Sequence, residues 1–175
     1  MQITIGGTPG SGKSVIAKFL AEKFNLKYYS IGNIRRELAK KRGLTILQYN
    51  LLNEDTDTEV DNFQKQLSKQ DNIIVEGRLA FHFLPRSIKI FLEVSPEVAA
   101  KRILKDPRDS ESQYKSEHDL VNDIKKRKEN DRQRYLKLYN IDPYEKSNFD
   151  FVLDTSNLSL DEVKNRVPEF IKANG

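Results

Sequence analysis

Residues 7 to 14 read Gly7-Thr8-Pro9-Gly10-Ser11-Gly12-Lys13-Ser14, a complete G-x-x-x-x-G-K-[ST] phosphate loop. The run before it, Met1 to Ile5, alternates like a short buried strand. The stretch after it (Val15, Ile16, Phe19, Leu20, Phe24) repeats at helical spacing. Strand, glycine-rich turn and helix form the context in which this motif has physical meaning. The glycines let consecutive backbone N–H groups converge on an anion, and the new helix adds its positive N-terminal end. Lys13 is expected to reach the β- and γ-phosphates, and the Ser14 hydroxyl to ligate Mg²⁺. A nucleoside triphosphate is therefore the expected ligand.

Length limits what such a loop can serve. At 175 residues the chain is expected to form one compact domain, too short for a motor or a multidomain ATPase. It has no cysteine, which excludes disulfides and thiolate zinc sites and fits a reducing compartment. No signal pattern precedes the first strand and no apolar run is long enough to span a membrane, so a cytoplasmic protein without membrane contact is expected. The 30 Lys+Arg against 26 Asp+Glu give a net charge of +4. That excess suits a pocket for two phosphorylated ligands as well as it suits nucleic acid. Lys125-Lys126-Arg127-Lys128 resembles a nucleic-acid patch but lies inside a helical pattern, where such runs form solvated faces. Nucleic acid is not the expected partner.

Five strand candidates stand out: Gln2–Ile5, Lys27–Ser30, Asn72–Glu76, Ile88–Val94 and Phe149–Asp154. Between them lie helical patterns over Ser14–Phe24, Ile34–Lys41, a region from Thr45 to Lys69, Pro96–Leu104, Glu117–Tyr139 and Leu160–Ile171. Strands alternating with helices imply an α/β fold, a parallel sheet covered on both faces. Two intervals are long for simple crossovers, residues 31–71 and the polar segment 106–118. Both are expected to overhang the carboxyl edge of the sheet, the second as a lid. Residues 172–175 read as a frayed end.

Arginines mark a second anion. Ser30, Gly32 and Arg35 end the second strand and open a helix, and Glu76-Gly77-Arg78 ends the third. Each group suits a phosphate held by backbone N–H groups and a guanidinium, and each also suits an ordinary cap or salt bridge. On the helix Glu117–Tyr139, Leu120, Ile124, Arg127, Asp131, Arg134 and Leu138 share one face. Apolar ends suggest that this face turns inward, leaving its charges to pair among themselves or to face a ligand. Beside a bound triphosphate, arginines clamping a phosphoryl group in transit are favoured, and such a clamp is what transfer between two nucleotides needs.

These elements resemble the nucleoside monophosphate kinases, and specifically the short archaeal-type cytidylate kinases. The matching segments are Ile3–Ser14, Ser30-x-Gly32-x-x-Arg35, Glu76-Gly77-Arg78-Leu79-Ala80, Arg134-Tyr135 with Tyr139-x-Ile141-Asp142, and Asp154-Thr155-Ser156. The resemblance covers essentially the whole chain. It implies a P-loop NTPase-type three-layer sandwich with a five-stranded parallel sheet, a helical acceptor-binding insert over about 31–71 and a short lid over about 106–118. It implies ATP and Mg²⁺ as cofactors and CMP or dCMP as acceptor; a monomer is expected, although the sequence does not give the oligomeric state. Gly7, Thr8, Pro9, Gly10, Ser11, Gly12, Lys13 and Ser14 would hold ATP, with Arg102 near the donor nucleotide and Ser14 on the metal. Ser30, Arg35 and Arg78 would hold the acceptor's phosphate and Asp131 its ribose. Lys13, Arg127 and Arg134 would serve the phosphoryl group in transit; whether Asp154 or Glu76 helps Ser14 hold Mg²⁺ stays open in the sequence. Two departures bear on the acceptor base. The 31–71 insert lacks the bacterial family's base-reading motifs, and His82-Phe83 stand where a small or glycine-containing segment is expected.

Other readings keep the loop. A GTPase needs N-K-x-D, which is absent. A hydrolytic ATPase uses an Asp after an apolar strand. Phe151-Val152-Leu153-Asp154 has that form but comes last, and the third strand ends in Glu76 instead. An adenylate kinase would differ in acceptor base. A nucleotide-gated RNA-binding protein would use Lys125–Lys128 on phosphates.

Overall fold

In the computed structural model, which describes residues 1–45, 48–49, 55–105 and 116–175, five parallel strands form one sheet in the order β2-β3-β1-β4-β5. The strands are β1 (Gln2–Gly7), β2 (Lys27–Ser30), β3 (Ile73–Glu76), β4 (Ile88–Glu93) and β5 (Phe151–Asp154). The helices are α1 (Lys13–Lys23), α2 (Ile31–Lys41), α3 (Asp55–Leu67), α4 (Ala80–Phe83), α5 (Pro96–Lys105), α6 (Glu117–Tyr139) and α7 (Leu160–Asn174). This is the α/β architecture expected from the alternating pattern, with helices on both faces of a parallel sheet.

Successive side chains of a strand point to opposite faces, so each strand feeds two cores. Ile3, Ile5, Ile74, Ile90 and Leu92 pack with Ile16, Leu20, Val163, Val167 and Ile171 of α1 and α7. On the other face Ile73, Val75 and Phe91 pack with Leu67, Leu79, Phe81, Leu84 and Phe149. A third, smaller core joins Ala99, Ala100 and Ile103 of α5 to Leu120 and Ile124 of α6. Two polar side chains of β1 reach partners far along the chain. The Thr4 and Ser87 hydroxyls share a hydrogen bond of 2.9 Å, and Gln2 Nε2 donates to the Ser68 and Gln70 carbonyls.

Strand order reverses at β1, the point at which α/β sheets open a crevice beyond their carboxyl ends. β1, β3 and β5 carry Gly7, Glu76 and Asp154 to that edge.

Several boundaries differ from the sequence pattern for local reasons. α2 starts three residues early because the Ser30 hydroxyl accepts from Asn33 N–H and caps it. β3 starts after Asn72, whose φ of 56° is left-handed. A 3₁₀ turn at Lys146–Asn148 delays β5 to Phe151. α4 is a single turn, too short to leave a periodic signal. The end expected to fray is helical to Asn174, whose amide donates to the Phe170 carbonyl.

Candidate active site

The phosphate loop is anchored to β4. Thr8 N–H donates to the Leu92 carbonyl at 3.1 Å, and the Thr8 hydroxyl accepts from Val94 N–H at 3.0 Å. Gly7 permits that approach: a Cβ there would lie 2.0 Å from the Leu92 oxygen, on backbone with φ 144°. Gly12, left-handed at φ 83°, is the N-cap of α1 and gives it no side-chain cap. The first N–H groups of α1 are thus left for a ligand. Lys13 Nζ donates to the Thr8 carbonyl at 2.8 Å, folding back across the loop. The Ser11 hydroxyl is buried, with no hydrogen-bond partner among the described residues. A buried unsatisfied hydroxyl inside a ring of turn N–H groups is what an absent anion would complete.

Ser14 Oγ donates to Glu76 Oε1 at 2.7 Å, and the Tyr28 hydroxyl donates to Glu76 Oε2 at 2.6 Å. A hydroxyl and a carboxylate together are the hard oxygen donors that suit Mg²⁺, which takes few protein ligands and completes its shell with phosphate and water. Asp154, the other acid considered for this place, instead accepts from Ser156 N–H and Oγ. Those bonds hold its carboxyl below the ordinary range. No group of three or more metal-ligating side chains occurs among the described residues.

Arg102 lies on the loop's flank. It donates to the Thr155 carbonyl and hydroxyl at 2.6 and 3.0 Å. With Ser11, Gly12, Val15, Leu158 and Leu160 it lines a groove of about 200 Å³ whose lining is mostly apolar. Val15 and Leu160 are about half exposed there.

Across Glu76 lies the arginine group. Arg78 Nε pairs with Asp131 Oδ2 at 2.5 Å, and the Tyr144 hydroxyl donates to the same oxygen at 3.1 Å. Burial alone would lower the Arg78 pKa, but Asp131 outweighs it and raises it further. Asp57 joins Arg35 Nη1, at 2.8 Å, to Arg134 Nη2, at 2.6 and 2.8 Å. Burial would raise the Asp57 carboxyl, but hydrogen bonds from Arg134 and Arg35 prevail and hold it low. One turn on, Asp61 accepts from the Tyr139 hydroxyl at 2.7 Å. Burial raises its pKa despite that bond.

The structure thus brings Arg35, Arg78, Asp131 and Arg134 together around Tyr135, and Ser30 caps the helix that carries Arg35. Arg127 lies further up α6, its guanidinium 3.9 Å from Asp123 and its side chain 43% exposed. The inward stripe expected on α6 holds for Leu120 and Ile124 but not for Leu138, which is 38% exposed. Beyond Asp131 the helix leaves α5 for the aromatic core, and Tyr135 and Tyr139 turn in instead. The lid expected over 106–118 lies outside the described residues, apart from Ser116, which caps α6, and Glu117 and His118 in its first turn. Tyr28, Asp57 and Tyr144 were not singled out by sequence reasoning for these contacts. Their partners lie 48, 22 and 77, and 13 residues away, distances at which single residues carry no pattern.

No helix among the described residues is long and apolar enough to cross a membrane. A family profile described as an AAA domain matches residues 3–137. A cytidylate kinase of Pyrobaculum islandicum is 39% identical over 165 residues, covering 91% of this chain and 86% of that protein. One from Methanocaldococcus jannaschii is 35% identical, covering 98% and 97%, and one from Sulfolobus acidocaldarius 39%, covering 93% and 90%. Among solved structures, the shikimate kinase of Bacteroides thetaiotaomicron superposes with a TM-score of 0.67 at 17% identity over 98% of both chains, a likeness of fold alone. With relatives this similar over nearly its full length, the chain belongs to the cytidylate kinase family and is a nucleoside monophosphate kinase.

Proposed function

We propose that the chain transfers the γ-phosphoryl group of ATP to CMP or dCMP, with Mg²⁺. The observation that carries this reading is the double attachment of one strand end. Glu76 touches Ser14 of the phosphate loop, and two residues later Arg78 pairs with Asp131 among the arginines. Donor phosphates on the loop and an acceptor phosphate on the arginines would then meet across Glu76-Gly77-Arg78.

In this reading the loop from Gly7 to Ser14 wraps the donor's phosphates, and the apolar groove beside Arg102 takes its base. Ser14 and Glu76 would hold Mg²⁺, which supplies charge neutralisation at the phosphate oxygens when bound. Lys13 leaves the Thr8 carbonyl for the β- and γ-phosphates. Arg35 and Arg78 orient the acceptor's phosphate from α2 and β3, with Ser30 fixing the start of α2. Arg134, and Arg127 once nearer, stabilise charge on the phosphoryl group in transit, and Asp131 takes the acceptor ribose. Pre-positioned cations supply most of the catalysis in such transfers. Segment 106–118 would close over both nucleotides and exclude water. The unit acts as a single-domain cytoplasmic monomer.

Of Asp57, Glu59 and Asp61, Asp61 is the best placed to read the amino group of cytosine. Asp57 is neutralised by two arginines, and Glu59 pairs with Arg42. A coupled assay with Mg·ATP against CMP, dCMP, UMP, AMP and GMP tests the reading. CMP and dCMP should exceed UMP about tenfold or more in kcat/KM, since leaving a buried acid unpaired costs roughly 1–3 kcal/mol. AMP turnover equal to that of CMP would reassign the acceptor.

A further inference from the structure

The Glu76 carboxylate is reached from two directions. Ser14 Oγ donates to its Oε1 at 2.7 Å, and the Tyr28 hydroxyl donates to its Oε2 at 2.6 Å. The second contact follows from the sheet. β2 and β3 run parallel, with Tyr28 opposite Ile74 and Ser30 opposite Glu76. Tyr28 and Glu76 therefore share a face and stand two residues apart along it, a rise of about 6.6 Å that a tyrosine ring can bridge. The Tyr28 ring packs on the core beneath α1. Tyr29 points to the opposite face, where its hydroxyl donates to Gln70 Oε1 at 3.1 Å.

We propose that Tyr28 is a positioning residue for the metal site: by holding Oε2 of Glu76 it presents Oε1 alone beside Ser14, and so favours Mg²⁺ over Ca²⁺. The inference rests on the reading that Ser14 and Glu76 hold the metal. When both turn to a cation their mutual hydrogen bond is given up, and the bond from Tyr28 is left to fix the rotation of the carboxylate. Mg²⁺ demands near-octahedral ligands at about 2.0–2.1 Å, which a single carboxylate oxygen meets. Ca²⁺ readily takes both oxygens of one carboxylate, at about 2.3–2.6 Å. To chelate with both, Glu76 must turn Oε2 away from Tyr28. The larger ion's favoured mode thus costs a hydrogen bond that the smaller ion's mode keeps.

Calorimetric titration of β,γ-imido-ATP into the wild type, Tyr28→Phe, Tyr29→Phe and Glu76→Gln tests this, each in Mg²⁺, in Ca²⁺ and in EDTA. The metal's effect is read as the Kd in EDTA divided by the Kd with metal. In the wild type this ratio should be larger for Mg²⁺ than for Ca²⁺; a Ca²⁺ ratio as large overturns the proposal without any variant. Tyr28→Phe should lower the Mg²⁺ ratio about tenfold and the Ca²⁺ ratio by less than about threefold. Its Kd in EDTA should stay within about twofold of wild type. Equal weakening in EDTA and in Mg²⁺ would mean that the tyrosine only shapes the loop, and overturns the proposal, as would the same shift in Tyr29→Phe. Glu76→Gln should lose the effect of both metals. If it keeps them, the metal is held elsewhere and the metal reading falls together with the inference. If it loses them while Tyr28→Phe keeps the wild-type ratios, that reading stands and the inference alone falls.

Discussion

Lys13 and Asp61 show how single side chains hold chemistry in reserve. Lys13 now donates to the Thr8 carbonyl, a bond it can exchange for a phosphate oxygen. Its replacement by alanine should lower kcat at least about 10²-fold while the circular dichroism spectrum is kept, since one pre-positioned electrostatic contact is worth about 3–4 kcal/mol. Asp61 carries the opposite strain. Burial raises its pKa, so its charged form costs the fold stability. That cost is absent below the unfolded value of about 3.9 and builds as pH rises through the higher folded value. Asp61→Asn should therefore gain thermal stability over wild type as pH is raised from about 3.5 to 7. The same variant should lose kcat/KM for CMP relative to UMP. A melting series across pH, paired with the two-substrate assay, checks both halves. Asp57 has the reverse sign: its folded pKa is depressed, so its contribution is present above about 3.9 and is lost in acid as pH falls through the folded value.

At the scale of elements, α6 does two jobs along its 23 residues. Its first half is a packing helix, with Leu120 and Ile124 buried against α5. Its second half presents Asp131, Arg134 and Tyr139 to Arg78, Asp57 and Asp61. Helical spacing puts Leu138 on the same face as Leu120, so the sequence pattern reads as one inward face. The partner surface changes midway, however, and inwardness follows the partner. Leu138→Gln should consequently shift the urea midpoint by less than about 0.5 kcal/mol equivalent, whereas Tyr135→Ala should cost about 2–3 kcal/mol by the same measurement. The phosphate loop, the five strands and the arginines at two strand ends were legible because each rests on local pattern: glycine spacing, alternation, or position after an apolar run. Tyr28 on Glu76 and Asp57 between its arginines were not, because nothing local distinguishes them. One is a strand tyrosine and the other an acid in a charged helix, and only the sheet order and helix placement give them partners.

For the whole molecule, the sheet places its phosphate loop in its most dependent position. β1 is flanked by β3 and β4, and neither is its neighbour in sequence. The loop that follows it is pinned by Thr8 to Leu92 and to Val94, the latter 86 residues further along. During synthesis at about 5–20 residues per second, β1 and its loop must wait roughly 4–17 s before the strand that shapes them exists. An unfinished chain that ends before β4 has the whole glycine-rich sequence and no anchored loop. A nascent chain is thus expected to hold no nucleotide until β4 has left the ribosome, and a fragment truncated before β4 should show no ATP binding by calorimetry.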